Sequence, residues 1–196
     1  MLIGERVRLR AIEREDLPRC VAWLNDPEVV RYLTLYLPLS REDEERWFEG
    51  YLQDPRRKVL AIEAETGEHI GNIGLEEIDW KNRCAELGIF IGEKDRWGQG
   101  YGTDAVRTLL RFAFEELNLN RVQLHVFAFN ERARRCYIRC GFVEEGRQRQ
   151  AHYTEGRYHD VILMSILRAE WDALQADPCA RSAKGKPGNR GSPVPP

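Results

Sequence analysis

The sequence has no apolar run near the roughly 20 residues that a membrane-crossing helix needs. No membrane role is therefore expected. It also lacks a charge excess: 32% of residues are charged, yet the net charge is only −2. That balance argues against a dedicated nucleic-acid binder, which presents a strongly basic face. The opening residues, Met1 to Arg6, lack the order of a signal peptide, and a cytoplasmic location is the expectation. The five cysteines, Cys20, Cys84, Cys136, Cys140 and Cys179, are an odd number without framework spacing. They read as reduced thiols. Cys136 and Cys140 share a helix face, but no further ligand stands at a metal-site spacing. No metal is expected.

Phosphate-loop signatures are missing too. No Gly-Lys-Ser/Thr ending is present, which excludes the nucleoside triphosphatase loop. No short βαβ unit with GxGxxG opens the chain, which excludes a dinucleotide fold. No repeat of 20–50 residues is evident.

What is present fits one domain with a substantial core, assigned to 1–176. Residues 177–196 are rich in proline, glycine and basic residues and read as a disordered tail. Arg6 to Ile12 alternates, with Val7, Leu9 and Ala11 on one face, as in a half-buried strand. Leu17 to Leu24 has helical spacing through Leu17, Cys20, Val21 and Leu24, and Asn25-Asp26-Pro27 stops it. Val29 to Leu39 is apolar without a clean period. It reads either as a connection covering the core or as one wall of a substrate pocket.

Ser40, with Asp43 three residues on, opens a helix to about Leu52. Lys58–Glu65, His69–Asp79 and Cys84–Gly92 read as a three-stranded antiparallel meander. A helix from Thr103 to about Leu117 buries Val106, Leu109, Leu110, Ala113 and Leu117. Arg121–Phe129 is a strand. Asn130 then starts a helix, Glu131 to Arg139, closed by Gly141. A terminal hairpin, Phe142–Tyr153 with Tyr158–Leu167, precedes a short helix, Ala169–Ala176. The order implies an α+β fold: a mixed, mostly antiparallel central sheet flanked by helices.

The most informative stretch runs from Ala85 to Ala105. A strand leads into Trp97-Gly98-Gln99-Gly100-Tyr101-Gly102-Thr103 and then a helix. Glycines at 98, 100 and 102 remove side chains that would block a close ligand. The helix start adds unpaired N–H groups and the positive end of its dipole. That combination makes an anion site.

Trp97 to Gly102 resembles the [Q/R]xxGx[G/A] pyrophosphate loop of the GNAT superfamily of acetyl-CoA-dependent N-acetyltransferases. Asn130 to Phe142 resembles that family's NxxAxxxYxxxGF segment. The ending, Glu145 to Met164, is similar to the branch of ribosomal-protein N-terminal acetyltransferases and spermidine acetyltransferases. The resemblance covers residues 6 to about 170. Trp97 departs from it, since tryptophan supplies no charged or amide contact to phosphate; the backbone of the loop remains available.

The resemblance implies transfer of acetyl from acetyl-CoA to a primary amine. Such a reaction must deprotonate an ammonium of pKa about 10.4 and protonate or solvate a thiolate whose thiol has a pKa of about 8.5. Glu86 faces away from Leu87, Ile89 and Ile91 by strand alternation, and the family reading makes it the general base. Tyr137 is the general acid by the same resemblance. Asn130 holds the pantetheine arm, caps its helix, or does both. The backbone of Ile89, Phe90 and Ile91 lies along the pantetheine, and Trp97 to Thr103 cradle the pyrophosphate.

Candidate walls of the acceptor pocket are Tyr32, Tyr36, Glu76, Glu77, Asp79, His152, Tyr153 and His159. The acceptor is a protein N-terminal amine, with a polyamine or another small amine such as an aminoglycoside as alternatives. A non-catalytic acyl-CoA-binding regulator is the remaining alternative. A homodimer is a family-based expectation.

Overall fold

A computed structural model describes residues 1–176; the expected tail at 177–196 lies outside the described residues. Eight strands form one sheet in the order β1-β2-β3-β4-β5-β6-β8-β7. They are β1 (Leu2–Ile3), β2 (Val7–Ala11), β3 (Lys58–Ala64), β4 (His69–Asp79), β5 (Cys84–Ile91), β6 (Arg121–Phe127), β7 (Val143–Thr154) and β8 (Arg157–Leu167). Every neighbouring pair is antiparallel except β5 with β6. The expected α+β architecture is what forms.

Alternation sorts the strand residues between two layers. On one face Leu9, Ile62, Ile73, Leu75 and Leu87 pack with helix α4 (Tyr101–Arg111) and with Tyr137 and Cys140 of α5 (Glu131–Arg139). Trp171 of α6 (Arg168–Ala176) closes this core against Phe114. On the other face Val59 and Ala61 meet Leu17 of α1 (Leu17–Leu24) and Phe48 of α3 (Arg41–Gln53).

Local chemistry sets the ends. Ser40 accepts from the Asp43 amide at 3.1 Å, and the Asp43 carboxylate takes the Ser40 amide at 3.0 Å. This capping box starts α3 where the sequence placed it. Gly141 takes φ +99° after α5, the left-handed turn that ends helices without a Cβ penalty.

Five details depart from the sequence reading. A short helix α2 (Pro27–Val30) forms within the expected connection, because Asp26 caps it through the Glu28 amide at 2.9 Å. Helix α1 buries Trp23 rather than Val21 and Leu24. Its indole donates to Glu93 Oε1 at 3.0 Å and lies so close over Gly92 that a Cβ there would sit 2.1 Å from the ring. Strand β2 ends at Ala11, which is exposed, and Ile12 turns inward instead. Helix α4 begins at Tyr101 and finishes in a single π-type turn, Phe112–Glu116. The short edge strand β1 was not anticipated either.

Candidate active site

The sheet opens in its middle. Strands β5 and β6 pair in parallel only over Cys84–Glu86 and Arg121–Gln123. Beyond that point β5 stays with β4 up to Ile91, and β6 stays with β8 up to Phe127. The two strands part, and the edge of β5 beyond Glu86 faces an opening. The Gly92 amide donates to Ile70 O at 2.9 Å, toward β4. Backbone groups alternate sides along an antiparallel strand. Gly88 and Phe90 therefore also turn to β4, while Ile89 and Ile91 turn to the opening. Trp97 has already taken one of these groups, since its Nε1–H donates to Ile91 O at 2.8 Å.

The glycine loop ends beside this edge. Gly98 and Gly100 have φ of +76° and +95°, a conformation that costs other L-residues about 1–2 kcal/mol. Gly100 is the N-cap of α4, and the first helical bond runs from Asp104 N–H to Gly100 O at 3.0 Å. The amides of Tyr101, Gly102 and Thr103 therefore have no helical acceptor. A Cβ on Gly102 would meet nothing within 4 Å, so no side chain covers that point of the first turn.

Two side chains of the loop point elsewhere. Tyr101 is buried in the core, its hydroxyl donating to Glu65 Oε1 at 3.1 Å, and Gln99 donates to Asp95 O. Asp104 ties the helix start to the N-terminal segment by accepting from the amides of Glu5, Arg6 and Val7 at 3.2, 2.7 and 3.0 Å.

Trp97 packs beside Trp23 and Val29. The Arg132 guanidinium of α5 lies 3.9 Å above its ring. Among the described residues Arg132 has no carboxylate partner. Asn130 uses Oδ1 to accept from the Ala133 amide at 3.2 Å and cap α5, which leaves its NH₂ unspent.

Tyr137, also on α5, is buried against Phe142, with ring centroids 5.8 Å apart. Burial pushes its hydroxyl well above the usual phenol range, and nearby Cys136 and Cys140 add to the effect. The group stays protonated at neutral pH. Thr103 meets both thiols, with Cys136 Sγ 3.3 Å from its Oγ1 and Cys140 Sγ 3.6 Å from its carbonyl. Cys140, then Thr103, lowers the pKa of the Cys136 thiol.

On the face toward α1 and α3, Glu76 and Glu86 stand directly opposite each other on β4 and β5. Gly74 and Gly88 form the next pair on that face, and Gly88 is exposed although its strand is central. Two carboxylates thus flank a bare floor at the point where the sheet opens. A further residue, not anticipated from sequence, joins them: His125 Nδ1 is 3.0 Å from Glu86 Oε1. Val122, Leu124 and Val126 are buried on one face of β6, so alternation alone puts His125 on the other. The missing information was which strand lay beside it.

The wall expected from Tyr32, His152 and His159 is partly assembled. His152 stacks on Phe127 with centroids 3.8 Å apart, His159 meets Phe129 edge-on at 4.7 Å, and Tyr32 lies 6.2 Å from Phe129. Burial, then the neighbouring His159, lowers the pKa of His152, and the rings make this wall largely aromatic.

Four expected wall residues are not part of it. Tyr36 is 87% exposed, since nothing packs over its loop. Tyr153 pairs with Tyr158 and projects from the opposite face to His152. Glu77 is turned outward at a bulge, with φ +50°, and pairs with Arg56 at 3.7 Å. Asp79 is spent on the turn, accepting from the Lys81 and Asn82 amides at 2.9 Å each. Among the described residues no three His, Cys, Asp or Glu side chains converge as a metal site.

A family model described as an acetyltransferase (GNAT) domain matches residues 6–143. The chain is 33% identical over 176 residues to YdaF of Bacillus subtilis (strain 168), named provisionally as a ribosomal N-acetyltransferase; the match covers 87% of this chain and 96% of that one. It is 32% identical over 170 residues to a spermidine N(1)-acetyltransferase of Vibrio cholerae, covering 86% and 97%. A crystal structure of Vibrio cholerae spermidine N-acetyltransferase with CoA and spermine superposes with a TM-score of 0.81. There the identity is 30%, and 86% of this chain and 99% of that one are covered.

Proposed function

The chain belongs to the GNAT acetyltransferase family and is an acetyl-CoA-dependent N-acetyltransferase, and we propose that its acceptor is a polyamine of the spermidine class, acetylated at a primary amine. The observation that carries this reading is the Glu86 carboxylate beside the exposed Gly88, where the sheet opens. An alkylammonium with a pKa of about 10.4 needs a base, whereas an α-amine near 8 is already partly free at neutral pH. The aromatic wall of Phe127, Phe129 and His152 suits a methylene stem. The relatives named for spermidine support a polyamine over the protein N-terminus first expected. YdaF keeps the protein N-terminus as the second reading.

The residues present fit acetyl-CoA. The free amides of Tyr101, Gly102 and Thr103 suit the pyrophosphate. Arg132, stacked over Trp97, presents from α5 the cation that Trp97 lacks. Ile89 offers its N–H and C=O, and Ile91 its N–H, to the pantetheine amides in the manner of an added strand. Of the backbone groups expected there, those of Phe90 face β4 instead. The Asn130 NH₂ is a further donor to the arm.

Glu86 takes one proton from the ammonium and passes it to solvent. The freed nitrogen pair forms the N–C bond to the thioester carbonyl, and the C–S bond breaks. Tyr137 gives its hydroxyl proton to the departing sulfur. It regains a proton when the nitrogen sheds its second one to become an amide.

Thiol release from acetyl-CoA, measured with spermidine, peptides bearing free N-termini and an aminoglycoside, tests the assignment. Spermidine should give the highest kcat/KM. Faster turnover of peptides would replace the polyamine reading with the N-terminal one. No release with any amine, alongside tight acetyl-CoA binding, would favour a non-catalytic regulator.

A further inference from the structure

Glu86 does not face the opening alone. Its partner His125 sits two residues beyond Gln123, the residue paired with Glu86. At that point β6 is already leaving β5, so the imidazole leans back across the gap to reach the carboxylate. The two side chains are 35% and 38% exposed. A pair this open adds at most about 1 kcal/mol to stability, so the fold has little need of it. Its placement, where the sheet opens beside Gly88, is what distinguishes it.

The neighbours leave the contact to these two. Glu76 is held by Arg57 at 2.9 Å. Gln123 accepts from Arg121 at 3.3 Å. His152 is stacked on Phe127. A glutamate side chain has three rotatable bonds and samples many rotamers unless a partner fixes it. A carboxylate that gives Oε1 to an N–H donor keeps Oε2 for the substrate.

We propose that His125 is the positioning residue for Glu86: its Nδ1–H anchors Oε1 and so directs Oε2 at the acceptor amine over Gly88. This rests on the reading of Glu86 as the base. In this arrangement Nε2 of the same imidazole makes no contact with the carboxylate. The proton on Nδ1 follows from the short contact, because a carboxylate oxygen can only accept there.

Steady-state kinetics test it, using the best acceptor of the amine panel at saturating acetyl-CoA, on His125→Ala, His125→Asn, Glu86→Gln and the Glu86→Gln/His125→Ala double variant. Asparagine keeps an N–H at nearly the place of Nδ1. His125→Ala should lower kcat between about tenfold and a hundredfold, the range expected for a misplaced catalytic group, with KM for acetyl-CoA within about twofold. His125→Asn should recover most of the loss. The double variant should be no slower than Glu86→Gln, because both changes remove one device.

Unchanged kcat in His125→Ala, with Glu86→Gln depressed, overturns the positioning role and leaves the base in place. Equal loss in His125→Ala and His125→Asn, with unaltered thermal unfolding, overturns it by giving the imidazole chemistry of its own. Unchanged kcat in Glu86→Gln removes the base and this inference with it. No turnover with any amine of the panel removes both along with the acetyl-transfer reading. Should His125→Ala fail to fold, His125→Asn against Glu86→Gln decides alone: Asn must stay within about threefold of the parent.

Discussion

Glu44 is the sharpest place to test the energetics of the scaffold. It stands in the first turn of α3, only 4% exposed, and its carboxyl group has no hydrogen bond or ion pair to another described residue. Burial pushes its carboxyl from 4.5 up to about 7. The unfolded chain therefore ionises first as pH rises. The stability linked to this group is intact below about 4.5, is lost between about 4.5 and about 7, and stays lost above that. At about 1.4 kcal/mol per pH unit the full loss is about 3 kcal/mol.

The dipole at the start of α3 offsets part of it, and a buried amide has its own desolvation cost. Glu44→Gln should therefore recover about 1–2 kcal/mol at pH 8. For a domain of this size that is a rise in Tm of about 2–8 °C. At pH 4.5 the substitution should bring no gain. Circular-dichroism melts of both proteins at matched ionic strength, at pH 4.5 and pH 8, read the difference directly. An equal Tm change at the two pH values, or a lower Tm for the variant at pH 8, would refute the account of Glu44 as a buried, unpaired carboxyl.

Tyr137→Phe keeps the ring that packs on Phe142 and removes the hydroxyl. It should cut kcat about a hundredfold or more, with KM for acetyl-CoA within about twofold, and full turnover at saturating acetyl-CoA would end the acid role. Gly100→Ala forces a Cβ onto a residue at φ +95°. It should lower Tm and weaken acetyl-CoA binding by about tenfold in titration calorimetry, since a strain of about 1–2 kcal/mol is relieved only by moving the loop; unchanged affinity would show that the loop tolerates it. Cys136, whose pKa Cys140 and Thr103 lower, should alkylate readily between about pH 7 and about pH 8.5. Cys20, pushed up to about 11 by burial, should stay inert over that range, and peptide mass spectrometry after iodoacetamide separates the two.

The elements were legible because their signals are local. The Ser40–Asp43 box, the Asn130 cap and the Gly141 turn each need only a few neighbouring residues, and each lies where the sequence put it. Misreadings arose where a distant partner outweighed a local pattern. Helical spacing favoured Val21 and Leu24 as buried, but Glu93 and the bare surface of Gly92 drew Trp23 inward. Glu77 and Asp79 read as candidate walls of the acceptor pocket, yet Arg56 and the backbone of the following turn had claims on them. Counting carboxylates in a strand does not say which remain unspent.

The site shows the same divide more sharply. Alternation along β5 gave the direction of Glu86, and alternation along β6 gives that of His125. Neither pattern says that the two strands are neighbours, that they run parallel, or that Glu86 falls level with Gln123. A shift of the register by one residue would send His125 to the core face and leave the carboxylate without a donor. That register is pinned just before the reacting end, where the Asn120 and Arg121 amides both reach Arg83 O, at 2.7 and 3.2 Å. The geometry of the reacting end thus depends on a turn about three residues upstream whose sequence, Lys81-Asn82-Arg83, carries no catalytic signal. Glu86 was visible as a candidate because one strand sufficed to orient it; what makes its orientation useful belongs to the pairing of two.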